Sequence, residues 1–149
     1  MILNTMLSLF TRDLLKLKKE ISAYQEEKNM WLTASDISNS GGNLCLHLIG
    51  NLNAYIGVGL ANTSYIRQRD QEFSMKDIPR QELLLSIDAT IQVVEIGLKH
   101  LDESRLNDHF PVLIWDEPKD NLYTLLHLLT HLNYHLGQIN YHRRLLDQG

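Results

Sequence analysis

The stretch "LLHLLTHLNYHLGQINYHRRLL", from Leu125 to Leu146, contains four of the chain's seven histidines. His127, His131 and His135 fall at four-residue steps, and His142 follows seven residues later. Four residues advance an α-helix by about 400°, so His131 and His135 share a face one turn apart. One helix can present two imidazoles to a metal in this way. The intervening sequence is "HLNYH", with Leu132 where a metalloprotease of the HExxH type places its general-base glutamate, so that chemistry is disfavoured. His127 drifts by about 40° per step and is expected to lie above the pair.

A catalytic divalent metal takes about three protein ligands and keeps an open position. The third ligand must come from another segment, and His47 in "LCLHLIGNL" is the candidate. An imidazole among Leu44, Leu46, Leu48 and Ile49 needs a partner, because burying an unpaired polar group is costly. Asn51, one turn on, is available for a plain core hydrogen bond, and HxxxH pairs recur by chance. On spacing alone, a metal site and a histidine-rich core helix both stand. His100 and His109 read as surface residues, and His142 as a cation near a helix C-terminus, where positive charge is favoured.

Four helical segments must position these residues. Leu7, Phe10, Leu14, Leu17, Ile21 and Tyr24 form one stripe on a helix from about Leu3 to Glu27. "TASDISNSGGN" then favours turns. The second helix is predicted from about Asn43 to Asn62, held by packing because Gly50, Gly57 and Gly59 lower its propensity. The polar "TSYIRQRDQEFSMKDIP" leads to Pro79, which suits the start of a third helix with Leu84, Ile87, Ile91, Val94 and Leu98 inward. "IQVVEIG" leaves a minor strand alternative there. A linker with Pro111 and Pro118 precedes the fourth helix, which begins near Asp120. Four such helices in one domain spanning 1–149 predict an all-α four-helix bundle with sites between facing helices.

The 149 residues are 44% hydrophobic and 21% charged with a net charge of −4, which disfavours nucleic acid as the main partner. The single cysteine, Cys45, excludes an internal disulfide and fits a reducing cytoplasm. No signal peptide is expected from the charge-interrupted start. "LCLHLIGNLNAYIGVGLA" carries His47, Asn51 and Asn53 and reads as a core helix rather than a membrane span. Cys45 itself points away from His47 and reads as a buried apolar residue.

Taken together, "HLIGNLNAYIG", "RQRDQEF" and "HLNYHLGQINYHRRLL" resemble the DinB-like superfamily of metal-binding four-helix bundles, in a bacterial branch of no established activity. The resemblance spans nearly the whole chain, and "HLGQI" is its most specific piece, although many members read HRGQ where this chain has Leu136. It implies an up-down-down-up (DinB/YfiT-like) topology, metal ligands at His47, His131 and His135, and a homodimer. His127 and His142 fall outside the implied ligand set.

Members of the superfamily include S-transferases that use low-molecular-weight thiols such as mycothiol or bacillithiol. The resemblance therefore implies a divalent-metal-dependent thiol S-transferase. The alternatives are a noncatalytic metal-binding or ligand-sensing bundle, a metal-dependent hydrolase, and an interaction protein with core histidines. Three neutral imidazoles suit zinc or nickel first, then iron or copper. Asn51 and Gln138 are placed to orient an imidazole or a metal-bound water, against the plainer reading that each satisfies the bundle's own polar groups. Arg67, Arg69, Asp70 and Glu72 are placed to meet an anionic group at the pocket mouth, against the plainer reading of a solvated charged loop.

Overall fold

The computed structural model describes residues 1–148, and among them there is no named strand, only two isolated bridges. Five α-helices form: α1 (Ile2–Ala23), α2 (Gly41–Leu52), α3 (Arg69–Ser74), α4 (Arg80–His100) and α5 (Asn121–Leu146). The "IQVVEIG" segment is helical within α4, so the strand alternative does not hold. α1 packs on α4 and α5, and α2 packs on α4 and α5, around one core. No helix among the described residues is long and apolar enough to cross a membrane.

Periodicity explains the long helices. Leu3, Met6, Phe10, Leu14, Leu17 and Ile21 are buried along α1, while the expected Leu7 is only half-buried. The helix stops at Ala23, short of Glu27, because Tyr24 turns extended and sends its ring into the core. On α4 the buried stripe is Leu83, Ile87, Thr90, Val94 and Leu98; Leu84 and Ile91 sit at its edge. Each such aliphatic burial stabilises by about 1.5–3 kcal/mol.

α2 starts earlier than its composition led us to expect. Ser40 caps it, its hydroxyl accepting from the Asn43 amide at 3.1 Å. The glycine pair belongs to the helix rather than to a turn. A Cβ at Gly42 would lie 2.7 Å from the Trp31 ring, so the residue is small to let that ring in. Beyond Leu52, residues Asn53–Gly57 widen into a π-helical turn, where the Asn53 side-chain Nδ2 donates to the Ile49 carbonyl (2.8 Å) and to Thr90 Oγ1 (3.0 Å). Asn62 then takes a left-handed φ of 57°, and the chain leaves the helix near the expected place.

α5 begins where expected, with Asp120 Oδ1 accepting from the Tyr123 amide at 2.7 Å. Polar ties fix its register against α1. Asn133 donates to the buried Asp13 (3.0 Å), Asn140 to Glu20 (2.7 Å), and Arg143 pairs with Glu20 (2.7 Å). These contacts set which face of α5 meets α2, and that face carries the histidines.

Candidate metal centre

His47 projects from the middle of α2, and His131 and His135 from successive turns of α5. Each offers one ligand atom, and the three atoms lie within 4.8 Å of one another. The Nε2 atoms of His47 and His131 are 3.1 Å apart. Ring centroids are separated by 5.0 Å (His47 to His131), 5.2 Å (His47 to His135) and 4.6 Å (His131 to His135), with planes near perpendicular. Two nitrogens bound to one ion at about 2.0–2.1 Å stand about 2.8–3.4 Å apart as neighbours in octahedral or tetrahedral shells. The donor set therefore fits a divalent transition metal in atom type, and the His47–His131 pair fits it in spacing as well.

Hydrogen bonds prepare two of the rings. Nδ1 of His47 faces Glu72 Oε1 at 3.0 Å, and Nδ1 of His135 faces Gln138 Oε1 at 2.7 Å. A carboxylate or amide oxygen can only accept, so in both neutral rings Nδ1 carries the proton and Nε2 the lone pair. The third ring differs. Nδ1 of His131 is buried without a hydrogen-bond partner among the described residues.

Electrostatics keep His47 and His131 neutral. Burial pushes His131 down to about 3, helped by His135, His47, His127 and Arg67. For His47, burial also lowers the pKa and outweighs the opposing pull of Glu72. A neutral ring is the metal-binding form, so protons compete poorly for these lone pairs near neutral pH. His47 is buried while His131 and His135 are half-buried, which leaves the cluster open on the α5 side. Phe73 packs on His47 at 5.0 Å and His127 stacks on His131 at 6.2 Å. His127 meets Trp115 edge-on at 4.8 Å, which places it above the cluster as its helical phase requires.

Several expected roles need correction. Asn51 is not the partner of His47; its Oδ1 is buried without a partner among the described residues, and Glu72 occupies the position facing Nδ1. Arg67 is engaged with Glu72 rather than free to meet an anion. Its Nε and Nη2 donate to Glu72 Oε2 (2.9 Å) and Oε1 (3.0 Å), behind His47. Arg69 lies over the Phe73 ring at 5.7 Å, and Arg69 and Asp70 are both exposed.

His142 is not a surface cation. It is buried, its Nδ1 2.7 Å from the Tyr24 hydroxyl and its Nε2 2.8 Å from the Leu32 carbonyl. His100 Nδ1 meets the Leu60 carbonyl at 3.0 Å, and His109 is exposed. Glu72 was legible only as one charge in "RQRDQEF". Its signal was the need of His47 for a partner together with Gly50, three residues on, leaving room on that side of α2.

These observations define an all-helical protein with a preorganised cluster of three imidazoles between two helices. The chain matches, over residues 2–149, the family described as protein of unknown function (DUF1572), and it belongs to that family. No curated protein matches it.

Proposed function

We propose that this chain is a single DinB-like four-helix-bundle domain, of up-down-down-up topology, that holds one divalent transition metal on His47, His131 and His135. Zinc or nickel leads the choice, with iron or copper behind. The observation that carries the reading is the convergence of three ligand atoms within 4.8 Å, with Nδ1 of two rings already engaged by Glu72 and Gln138. A histidine-rich core helix would need no such convergence of lone pairs.

We further propose that the activity is thiol S-transfer, carried out by a cytoplasmic homodimer. Bound at the three imidazoles, a divalent metal supplies Lewis acidity that lowers the pKa of a coordinated thiol, so that thiolate is present at neutral pH. His47, His131 and His135 would hold the metal, and the half-buried His131 and His135 leave the cluster accessible on the α5 side. Glu72 and Gln138 hold the rings of His47 and His135 in orientation. Phe73 forms an apolar wall beside His47, and Arg69 above it offers positive charge to an anionic thiol co-substrate.

The test is thiol addition to the cobalt-substituted protein. A thiolate-to-cobalt charge-transfer band should appear near neutral pH, below the free-thiol pKa of about 8.5, and His131→Ala should abolish it. Binding of azide or imidazole without any thiol would replace thiol transfer by hydrolysis or ligand sensing. Light scattering that returns a monomer mass at micromolar concentration would reject the dimer.

A further inference from the structure

A short helix packs against His47 through Glu72 and Phe73. α3 is six residues long, too short to be stable by propensity, and tertiary contacts must hold it. Asn43 supplies two of them. Its side-chain amide donates to the Glu72 carbonyl at 2.9 Å and to the Met75 carbonyl at 2.8 Å, while its Oδ1 accepts from Ser40 Oγ (2.6 Å) and Lys76 Nζ (2.5 Å). Asn43 stands one turn before His47 on α2, so the helix that presents the imidazole also fixes the backbone that presents Glu72.

The Glu72 side chain then lies flat on α2 over Gly50. A Cβ built at Gly50 would come within 1.9 Å of Glu72 Oε2 and 2.6 Å of its Cδ. Any side chain at that position would displace the carboxylate. The opposite side of the carboxylate is closed by Arg67, whose fork also lies over the Tyr55 ring at 5.6 Å. Glu72 is 6% exposed and meets His47 Nδ1, Arg67 Nε and Arg67 Nη2 together.

A buried Arg–Glu pair is a poor device for stability alone, because desolvation offsets most of the attraction. Here one carboxylate oxygen is shared with an imidazole, and that gives the pair a task. We infer that Glu72 is the positioning residue of His47, its carboxylate seated between Gly50 and Arg67 so that Nδ1 keeps the proton and Nε2 faces His131 as a lone pair. The inference rests on the proposed ligand role of His47. Arg67 balances the carboxylate charge, so ring orientation is gained without adding net negative charge beside the centre. Outer carboxylates that hold a ligating histidine in this way typically contribute 10–100-fold to metal affinity.

The experiment reads the imidazole tautomer in the metal-free protein and then cobalt affinity by competition titration. Long-range proton–nitrogen correlation should show His47 as the Nδ1–H tautomer alone. Gly50→Ala changes no polar atom, yet it should push the carboxylate aside, let the Nε2–H form appear, and weaken cobalt binding about 10–100-fold. Glu72→Ala should do the same. Glu72→Gln is nearly isosteric, so it keeps the variant series interpretable if either alanine variant unfolds. With its oxygen at the Oε1 position the Gln amide still accepts from His47 Nδ1–H while its NH2 opposes Arg67 Nε donor to donor, so the tautomer should be kept and cobalt affinity should fall, by less than in the alanine variants.

A single Nδ1–H tautomer and unchanged cobalt affinity in the folded variants would overturn the inference while leaving the metal reading intact. The converse is also distinguishable. Variant-dependent tautomers in a wild-type protein that binds no cobalt would uphold the role of Glu72 and reject the metal centre.

Discussion

Two buried histidine environments on α5 and its neighbours make a controlled comparison. In one, His142 has both ring nitrogens consumed, one facing the Tyr24 hydroxyl and the other the Leu32 carbonyl. In the other, His47 and His135 each have Nδ1 engaged, and their remaining nitrogens converge with His131. Burial lowers the pKa of His142 in the first region and of His47 and His131 in the second. Burial therefore does not tell a ligand from a core residue. What the second nitrogen does is the discriminating feature. Gln138 sits where the regions adjoin, bonding His135 and also lining, with Leu44, Tyr141 and His142, a cavity of about 260 Å³.

The comparison breaks most visibly in a pair of alanine variants. His131→Ala should reduce metal affinity by more than the roughly 10–100-fold expected for losing an outer partner, with little change in the melting of the metal-free protein. His142→Ala should leave metal affinity unchanged and destabilise the fold by about 2–4 kcal/mol, because it opens a cavity and strands the Tyr24 and Leu32 groups. Equal loss of metal in both variants, by competition titration, would mean that the two regions are not functionally distinct.

Acid sharpens the same contrast. The pKa of His142 lies below its ordinary 6.5, because burial outweighs the Leu32 hydrogen bond and the nearby Asp147 carboxylate. A histidine with a lower pKa in the folded state takes up protons more readily when unfolded. Its stabilising contribution is full above about pH 6.5 and is lost as pH falls toward the folded value. Chemical denaturation of the metal-free protein should show this decline, and His142→Gln should flatten it by up to about 1.4 kcal/mol per pH unit. An unchanged slope would show that His142 does not titrate on unfolding.

The four long helices could be read from apolar spacing, and so could the pairing of His131 with His135, because both are properties of one helix. His47 was legible because an imidazole in an apolar run demands an explanation. What escaped reading depends on residues far apart in the chain. Tyr24 and His142 are 118 residues apart, so His142 looked like an ordinary C-terminal cation. α3 is a product of the Asn43 contacts rather than of its own sequence, and without it "RQRDQEF" is only a charged loop. The π-helical turn after Leu52 likewise rests on Thr90 of α4 accepting from Asn53.

A smaller effect tests the less protected of the two oriented rings. Gln138 is exposed, and water can replace its oxygen at His135 Nδ1. Gln138→Ala should therefore weaken metal binding by about 10-fold at most, the low end for an outer hydrogen bond. A loss as large as that of His131→Ala would mean that Gln138 is itself a ligand.

The central claim is that three imidazoles hold one ion, and anomalous scattering from crystals of untagged protein, grown with the metal it retains, tests it most directly. The account predicts one anomalous peak per chain among His47, His131 and His135, with nitrogens at about 2.0–2.1 Å for zinc. A peak elsewhere on the chain, or a metal-loaded crystal with none between these rings, would contradict it.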